Sequence, residues 1–302
     1  MNAPRPGPRG RGTAPKAARG ARRWLCGFLW TASLCTGVSA QGLAPMPVME
    51  EVPFITTPDN VTVAMLELAG VNARDTLIDL GSGDGRIVIT AARRFGARGL
   101  GVEIVPELLE RSRRNAQAAG VADRAEFREQ DLFKTDLSAA SVITMYLLPA
   151  VNLALRPALL GLKPGTRLVS HDWDLGDWTP DRTVTVQAPG KTVGREKTSD
   201  LHLWVVPAPA AGLWCGAEGL QWQLRQQFQM LQGQAGPAVD LKALQGRLEG
   251  TTLHLWAPGA QARAEWQTSP QGNSLRVVAA AGAWAPWQGQ TLRKASGDRC
   301  TG

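Results

Sequence analysis

The sequence predicts a two-part chain: an α/β domain built on a parallel sheet, followed by a small all-β domain. Three observations carry that reading. From about Glu50 to Pro207, apolar runs of strand length alternate with helical patterns, as in a sheet covered by helices. Pro207-Ala-Pro209-Ala-Ala then reads as a short linker. Beyond it the helical period disappears, and period-two segments recur at roughly ten-residue spacing. The 302 residues, 44% apolar and 20% charged, suffice to bury a core and exclude a disordered or collagen-like chain.

In chain order, Thr57-Pro58 opens a helix that runs to Gly70, with Thr57 placed to cap and Pro58 welcome at the first helical position. Thr76 to Leu80 is a buried strand, and Gly85 to Phe95 a helix stopped by Gly96. Leu100 to Ile104 is the second strand; Pro106 to Ala119 is the next helix, ended by Gly120. Ala125 to Arg128 and Val142 to Tyr146 are strands three and four, and Arg167 to Ser170 is strand five after the turn Lys163-Pro164-Gly165. Thr183 to Gln187 and Leu201 to Val206 alternate apolar and polar residues like an antiparallel pair.

The all-β part reads as Trp214, Gln221 to Met230, Leu244 to Leu248, Thr252 to Trp256, Ala262 to Trp266, Leu275 to Ala279 and Leu292 to Lys294. It holds six of the eleven tryptophans (Trp214, Trp222, Trp256, Trp266, Trp284 and Trp287), as core anchors or as a carbohydrate or lipid platform. Cys215 and Cys300 bracket this part. In an oxidising compartment they can pair as a disulfide; two unrelated thiols are the alternative. With three histidines and no metal-ligand spacing, no metal site is expected.

The net charge of +7 suggests a nucleic-acid partner until it is located. Residues 1–40 hold seven of the 33 basic residues and no acid, leaving 26 bases against 26 acids. The chain beyond residue 40 is neutral, which removes the electrostatic case for a nucleic-acid partner. The leader itself has secretory anatomy: Arg22-Arg23, the apolar run Trp24 to Val38, and the small residues of Val38-Ser39-Ala40 before Gln41. The twin arginines hint at a Tat route. A mitochondrial presequence fits less well, because the apolar core is long. The expectation is an exported protein, periplasmic in a bacterium. No later run approaches ~20 apolar residues, so no membrane span is expected in the mature chain.

The informative stretch is Asp79-Leu80-Gly81-Ser82-Gly83-Asp84-Gly85-Arg86, where a strand passes through three glycines straight into a helix. Glycines there let a ligand approach the backbone. A dinucleotide site would want its third glycine one place later and no acid facing a pyrophosphate. Asp79 instead attracts an ammonium group. Glu103 closes the second strand, where a carboxylate can accept both ribose hydroxyls. Asp131, with Leu132 beside it, follows the third strand, where an acid can accept from an adenine amino group. Three acids after three consecutive strands, around a glycine turn, suit S-adenosylmethionine, which carries an α-amino group and a sulfonium but no phosphate.

These residues resemble the class I (Rossmann-like) S-adenosylmethionine-dependent methyltransferases. The likeness is closest to the archaeal protein-lysine methyltransferases and the mitochondrial ATP synthase c-subunit lysine methyltransferase. It is carried by Val52-Pro53-Phe54, Thr57-Pro58, Asp79 to Arg86, Val102-Glu103, Thr144-Met-Tyr-Leu-Leu148 and Leu162 to His171. The resemblance implies a seven-stranded sheet with helices on both faces and an antiparallel final strand, methyl transfer from S-adenosylmethionine, and an ε-amino acceptor. The expected division is signal peptide 1–40, linker 41–49, methyltransferase domain 50–207, and a lipocalin-like barrel or sandwich over 208–302. The donor falls to Asp79, Gly81, Ser82, Gly83, Asp84, Gly85, Glu103, Asp131 and Leu132.

Candidate groups around the transferred methyl lie beyond strands four and five. Tyr146 can flank methyl and amine, or serve as a core aromatic. His171 and Asp172 stand where a base can sit, although His171 can equally satisfy a local backbone group. No Asn/Asp-Pro-Pro-Tyr/Phe motif follows strand four, which argues against planar amides and nucleobases. A monomer acting on protein lysine is expected. The alternatives are a small-molecule methyltransferase, or an exported non-catalytic protein that binds through its β domain.

Overall fold

A computed structural model of the chain describes residues 54–269 and 272–300. The expected signal peptide, the linker, Val52 and Pro53 lie outside the described residues. The α/β part runs α1 (Asp59–Leu68), β1 (Thr76–Leu80), α2 (Arg86–Phe95), β2 (Arg98–Glu103), α3 (Pro106–Ala118), β3 (Ala125–Glu129), β4 (Val142–Met145), α4 (Pro149–Leu160), β5 (Arg167–His171), β6 (Arg182–Gln187) and β7 (Thr198–Val205). Its seven strands lie in the order β3-β2-β1-β4-β5-β7-β6. The first five pair in parallel, and β7 runs antiparallel between β5 and β6. The order reverses between β1 and β4, which opens a crevice at the carboxyl ends of the strands.

Near-continuous apolar strands make this sheet, because both of its faces are covered. Leu77, Val142, Val169 and Leu201 pack in the cluster with α1, α2 and α3. Ile78, Leu80, Ile143 and Met145 pack in the other cluster with α4, Trp178 and Trp204. Each of these buried aliphatic side chains contributes about 1.5–3 kcal/mol. The sequence reading passes over α4, which contains Pro157, a residue that removes one backbone donor and normally ends a helix. Thr57 does not cap α1. Pro58 is the N-cap, and the Thr57 hydroxyl bonds instead to His171 Nδ1 at 3.2 Å.

The second part is a closed barrel, which decides between barrel and sandwich. Its strands are β8 (Gly212–Cys215), β9 (Leu220–Gln227), β10 (Met230–Pro237), β11 (Lys242–Glu249), β12 (Thr252–Ala257), β13 (Ala260–Ser269), β14 (Gly272–Gly282) and β15 (Thr291–Lys294). Each pairs with its neighbour in sequence, and β15 closes onto β8. The expected strand Gln221 to Met230 is in fact nearly all of β9, a turn, and the first residue of β10. Phe228 turns the chain in the left-handed region (φ 50°) without a glycine to announce it. β10 escapes the sequence reading because Gly233, Gly236 and Pro237 look like loop punctuation. Gly233 is there for contact: a Cβ would lie 1.9 Å from the Gln223 carbonyl oxygen.

Trp214, Trp222 and Trp284 are buried in the barrel core, while Trp256 is exposed. The barrel is fastened to the sheet at several points. Phe228 stacks on Trp178 with ring centroids 5.8 Å apart, and Gln229 donates to the Thr179 carbonyl at 2.6 Å. Asp181 accepts from Arg247 at 2.6 Å and from the Val205 N–H at 2.8 Å. Among the described residues no helix is long and apolar enough to cross a membrane, and no cluster could hold a metal ion.

Cys215 and Cys300 form a disulfide, 85 residues apart in sequence with Cα atoms 5.6 Å apart. It sits at the weakest seam, where β15 meets β8 through only two residue pairs, Arg293 with Cys215 and Lys294 with Trp214. A loop this long is worth up to ~4–5 kcal/mol in the chain-entropy model. Reduction, or Cys300→Ser, is expected to lower the barrel's unfolding temperature by several degrees. Thermal unfolding with and without reductant measures this, and an unchanged transition would mean that the strand pairing alone holds the seam.

Candidate active site

The glycine turn leaves the end of β1 and enters α2 directly. Gly81, Gly83 and Gly85 all have positive φ (73°, 53° and 81°), which side-chain-bearing residues adopt only with strain. The Gly81 and Ser82 N–H groups donate to the Val102 carbonyl at 3.0 and 2.9 Å and tie the turn to β2. A Cβ on Gly83 would stand 2.4 Å from the Phe54 ring, so the segment ahead of α1 lies directly over the loop.

Asp79 is 2% exposed. Its Oδ1 accepts from Thr144 Oγ1 at 2.7 Å; its Oδ2 has no hydrogen bond among the described residues. Burial pushes this carboxyl up to about 7; the Thr144 hydroxyl opposes the shift, and the nearby Glu103 and Asp84 carboxylates add to it. A buried carboxylate with one free oxygen and acidic neighbours is short of a cation. Glu103 Oε2 accepts the Gly83 N–H at 2.9 Å, and Oε1 accepts those of Ile104 and Val105 at 2.8 and 3.0 Å. Its carboxylate is therefore held in place at the end of β2.

The remaining predicted donor residues divide. Asp131 caps the short turn Leu132–Lys134 through the Phe133 N–H at 2.9 Å, and Leu132 packs against the core on the α4 side. It stands two strands out from Asp79. Ser82 points away from the cleft, against β2, where a Cβ on Gly101 would meet its Oγ at 2.5 Å. Asp84 is committed to Arg86, at 3.0 Å to Nε and 2.7 Å to Nη2, and Arg86 in turn donates to the Thr57 carbonyl at 2.7 Å. Ser82 and Asp84 shape the turn rather than face the crevice.

Beyond β4 and β5, Tyr146 and His171 stack with ring centroids 3.9 Å apart. Tyr146 follows β4 beside the glycine turn: a Cβ on Gly81 would lie 3.0 Å from the neighbouring Leu147. His171 is fully buried, with Nδ1 on Thr57 and Nε2 on Ser199 Oγ at 2.8 Å. Burial lowers it to about 4, against the pull of Asp172 and with help from Lys191. A neutral ring with both nitrogens engaged does not carry a proton for a substrate. The geometry gives His171 the work of holding Tyr146 instead.

The Tyr146 hydroxyl donates to Asp172 Oδ2 at 3.4 Å, and burial, followed by the Asp172 charge, raises it to about 12. Asp172 has φ 63°, uncommon for a non-glycine residue. Its Oδ2 is 2.7 Å from Lys191 Nζ. Tyr146, His171 and Asp172 are thus one connected group.

Sequence reasoning missed four neighbours. Thr144 fixes Asp79 from inside β4. Ile104 and Phe133, 67% and 42% exposed, directly follow Glu103 and the Asp131-Leu132 pair; large apolar residues beside strand-end acids were a signal that could have found them. Lys191, on the connection from β6 to β7, has no sequence signal at all. The crevice brings together a left-handed glycine turn, a buried carboxylate wanting a cation, exposed apolar surface for a planar ring, and the Asp172–Lys191 ion pair beside the Tyr146 ring. That is a set able to hold a phosphate-free nucleoside against an amine.

Comparison with known proteins gives the family. A family model described as the ANTKMT methyltransferase domain matches residues 79–182. A protein-lysine N-methyltransferase of Saccharolobus islandicus is 42% identical over 144 residues, 47% of this chain and 89% of that protein. The mouse ATP synthase c-subunit lysine N-methyltransferase is 39% identical over 112 residues; they are 37% of this chain and 45% of the mouse protein, so the chain spans about half the length of that relative. A solved structure described as an RNA methyltransferase of Salinibacter ruber, in complex with S-adenosyl-L-homocysteine, is 52% identical, with 52% of this chain and 97% of that one covered and a TM-score of 0.47. The family model ends at residue 182, short of the barrel. With nine-tenths of the archaeal relative spanned at that identity, the chain belongs to the family of S-adenosylmethionine-dependent methyltransferases that contains the protein-lysine N-methyltransferases.

Proposed function

We propose that this methyltransferase acts on the ε-amino group of protein lysine. The observation that carries the reading is the Asp172 carboxylate bonded to the hydroxyl of Tyr146, the residue next to Leu147 at the glycine turn. A carboxylate that already holds an ammonium group, beside an aromatic ring, suits an alkylammonium far better than a planar amide or a nucleobase. The named activities of the archaeal and mouse relatives support it.

In this reading Asp79 takes the donor's α-ammonium, Glu103 its ribose hydroxyls and Asp131 its adenine amine, while Gly81, Gly83 and Gly85 allow the left-handed turn that shapes the cradle. The bound donor supplies a methyl already activated on a sulfonium, so the protein's main task is alignment. Asp172 holds the incoming ammonium and takes its proton at Oδ2, because an amine attacks only when neutral. Tyr146, held protonated, orients Asp172 and walls the approach, and His171 keeps the Tyr146 ring in place. Nucleic acid is not a substrate on this account, since the chain beyond residue 40 has no net charge. We also infer export; the leader's pattern and the Cys215–Cys300 disulfide support it.

Purified protein incubated with labelled S-adenosylmethionine, the host proteome and, in parallel, total RNA is expected to label lysine side chains. Label confined to small molecules or RNA would overturn the lysine assignment. A protein that binds no S-adenosylmethionine at millimolar concentration would overturn the roles given to the loop.

The Asp79 assignment implies a trade between stability and binding. The folded protein holds a proton on this carboxyl below pH about 7, whereas the unfolded chain does so only below about 4. Asp79 therefore favours folding in acid, and that contribution disappears as pH rises through 7. Asp79→Asn, which keeps the Thr144 bond, is expected to melt several degrees above wild type at pH 8 and to approach it only below pH about 4, where the carboxyl is protonated in both the folded and unfolded chain. It should bind S-adenosylmethionine at least a hundredfold more weakly, since the donor's ammonium would lose its buried partner. Thermal unfolding at both pH values and calorimetric titration measure this; equal melting at pH 8 would mean that Asp79 is not a strained charge.

A further inference from the structure

The pocket around Asp172 already contains an ammonium group, and it belongs to this chain. Lys191 lies on the connection between β6 and β7, and its Nζ reaches Asp172 Oδ2 at 2.7 Å and the Thr198 carbonyl oxygen at 2.8 Å. Both the lysine and aspartate side chains are only 15% exposed. Tyr146 and the neutral His171 complete the surroundings, with His171 Nε2 3.6 Å from the same carboxylate oxygen. The geometry points to an alkylammonium subsite made by Asp172 Oδ2, the Thr198 carbonyl and the Tyr146 wall, in which Lys191 occupies the seat of the substrate's own lysine. This rests on the lysine reading above and names the residues that receive the amine.

Three features separate a seat from a plain structural ion pair. The first is place. Asp172 bonds the Tyr146 hydroxyl, and Tyr146 directly precedes Leu147, which lies against Gly81, so the ion pair is tied to the residues beside the glycine turn. The second is charge. With Tyr146 held protonated and His171 held neutral by burial, Asp172 is the one carboxylate in this group, and it balances a single cation. Lys191 and a substrate lysine therefore compete. The third is the carrier. Residues 192–197 are partly or fully exposed, so the segment holding Lys191 has little burial to lose in lifting away. Its hydrogen bonds are largely within itself: Ala188 N–H to the Lys197 carbonyl, Lys191 N–H to the Ala188 carbonyl, and Lys197 Nζ to the Lys191 carbonyl. Asp172, by contrast, is anchored. Its N–H donates to the Asp200 carbonyl at 2.7 Å, and its Oδ1 accepts the Asp200 N–H at 3.2 Å. An anchored anion facing a cation on a liftable loop is an arrangement in which the cation can be exchanged.

The test uses full-length protein without donor and n-butylammonium as probe, because it carries the lysine head and part of its stem. Lys191→Met empties the seat while keeping the side-chain length, and Lys191→Arg leaves a cation in it. Lys191→Met is expected to bind n-butylammonium at least tenfold more tightly than wild type, and Lys191→Arg no more tightly than wild type. With a lysine peptide and donor, KM for the peptide should fall several-fold in Lys191→Met while kcat changes less than threefold. A Lys191→Met protein with lowered melting temperature and no gain in affinity would make Lys191 a strut and overturn the assignment. Equal gains in both variants would show that the cation does not compete, and would overturn it too. If Lys191→Met gains n-butylammonium affinity but neither protein labels any lysine, the ammonium seat stands and the lysine-methyltransferase reading falls.

Discussion

A carboxylate placed where water cannot reach it organises the catalytic half of this protein. Asp79 ends β1 inside the sheet, anchored by one hydroxyl from β4 and crowded by the acids of its own loop and of β2. Left alone, such a group drifts toward its neutral form. The surrounding architecture keeps its free oxygen available: three left-handed glycines curl the chain around it, and Glu103 pins the turn through the Gly83 N–H. Local stability is given up at this position, as preorganised sites commonly require.

How much of this was legible depended on where each residue gets its meaning. The positions of Asp79, Glu103 and Asp131 at the ends of successive strands could be read in advance, because the strand pattern alone places them there. Ser82 and Asp84 sit in the same motif, but their orientation is decided by partners outside it: the bare backbone of Gly101 for one, the guanidinium of Arg86 for the other. Thr57 looked like a helix cap and became a support for His171, a contact across 114 residues that no local pattern encodes. Lys191 is the extreme case. A lone lysine in a polar loop carries no signal until the fold brings it to Asp172.

The same division holds for the elements. Alternating apolar runs revealed the sheet, and period-two segments revealed the β domain. α4 and β10 were lost because Pro157, Gly233 and Gly236 are breakers by propensity, and packing overrode propensity at each. The hairpin at Phe228 was hidden for the opposite reason: a bulky residue took a turn conformation, and its ring found Trp178 on the other half of the protein. The barrel is therefore not a loosely tethered appendage. Stacking, the Gln229 amide and the Arg247 ion pair set its position beside the last strands of the sheet, so a partner bound to either half would meet a fixed geometry on the other.

Barrel topology gives the cystine a further meaning. Seven of the eight strand pairings join segments consecutive along the chain, and such local contacts form with little loop entropy to overcome. The last pairing, β15 on β8, must wait until the whole domain has been made. Cys215 and Cys300 meet only at that join, so their oxidation is a covalent record that the ring of strands has closed.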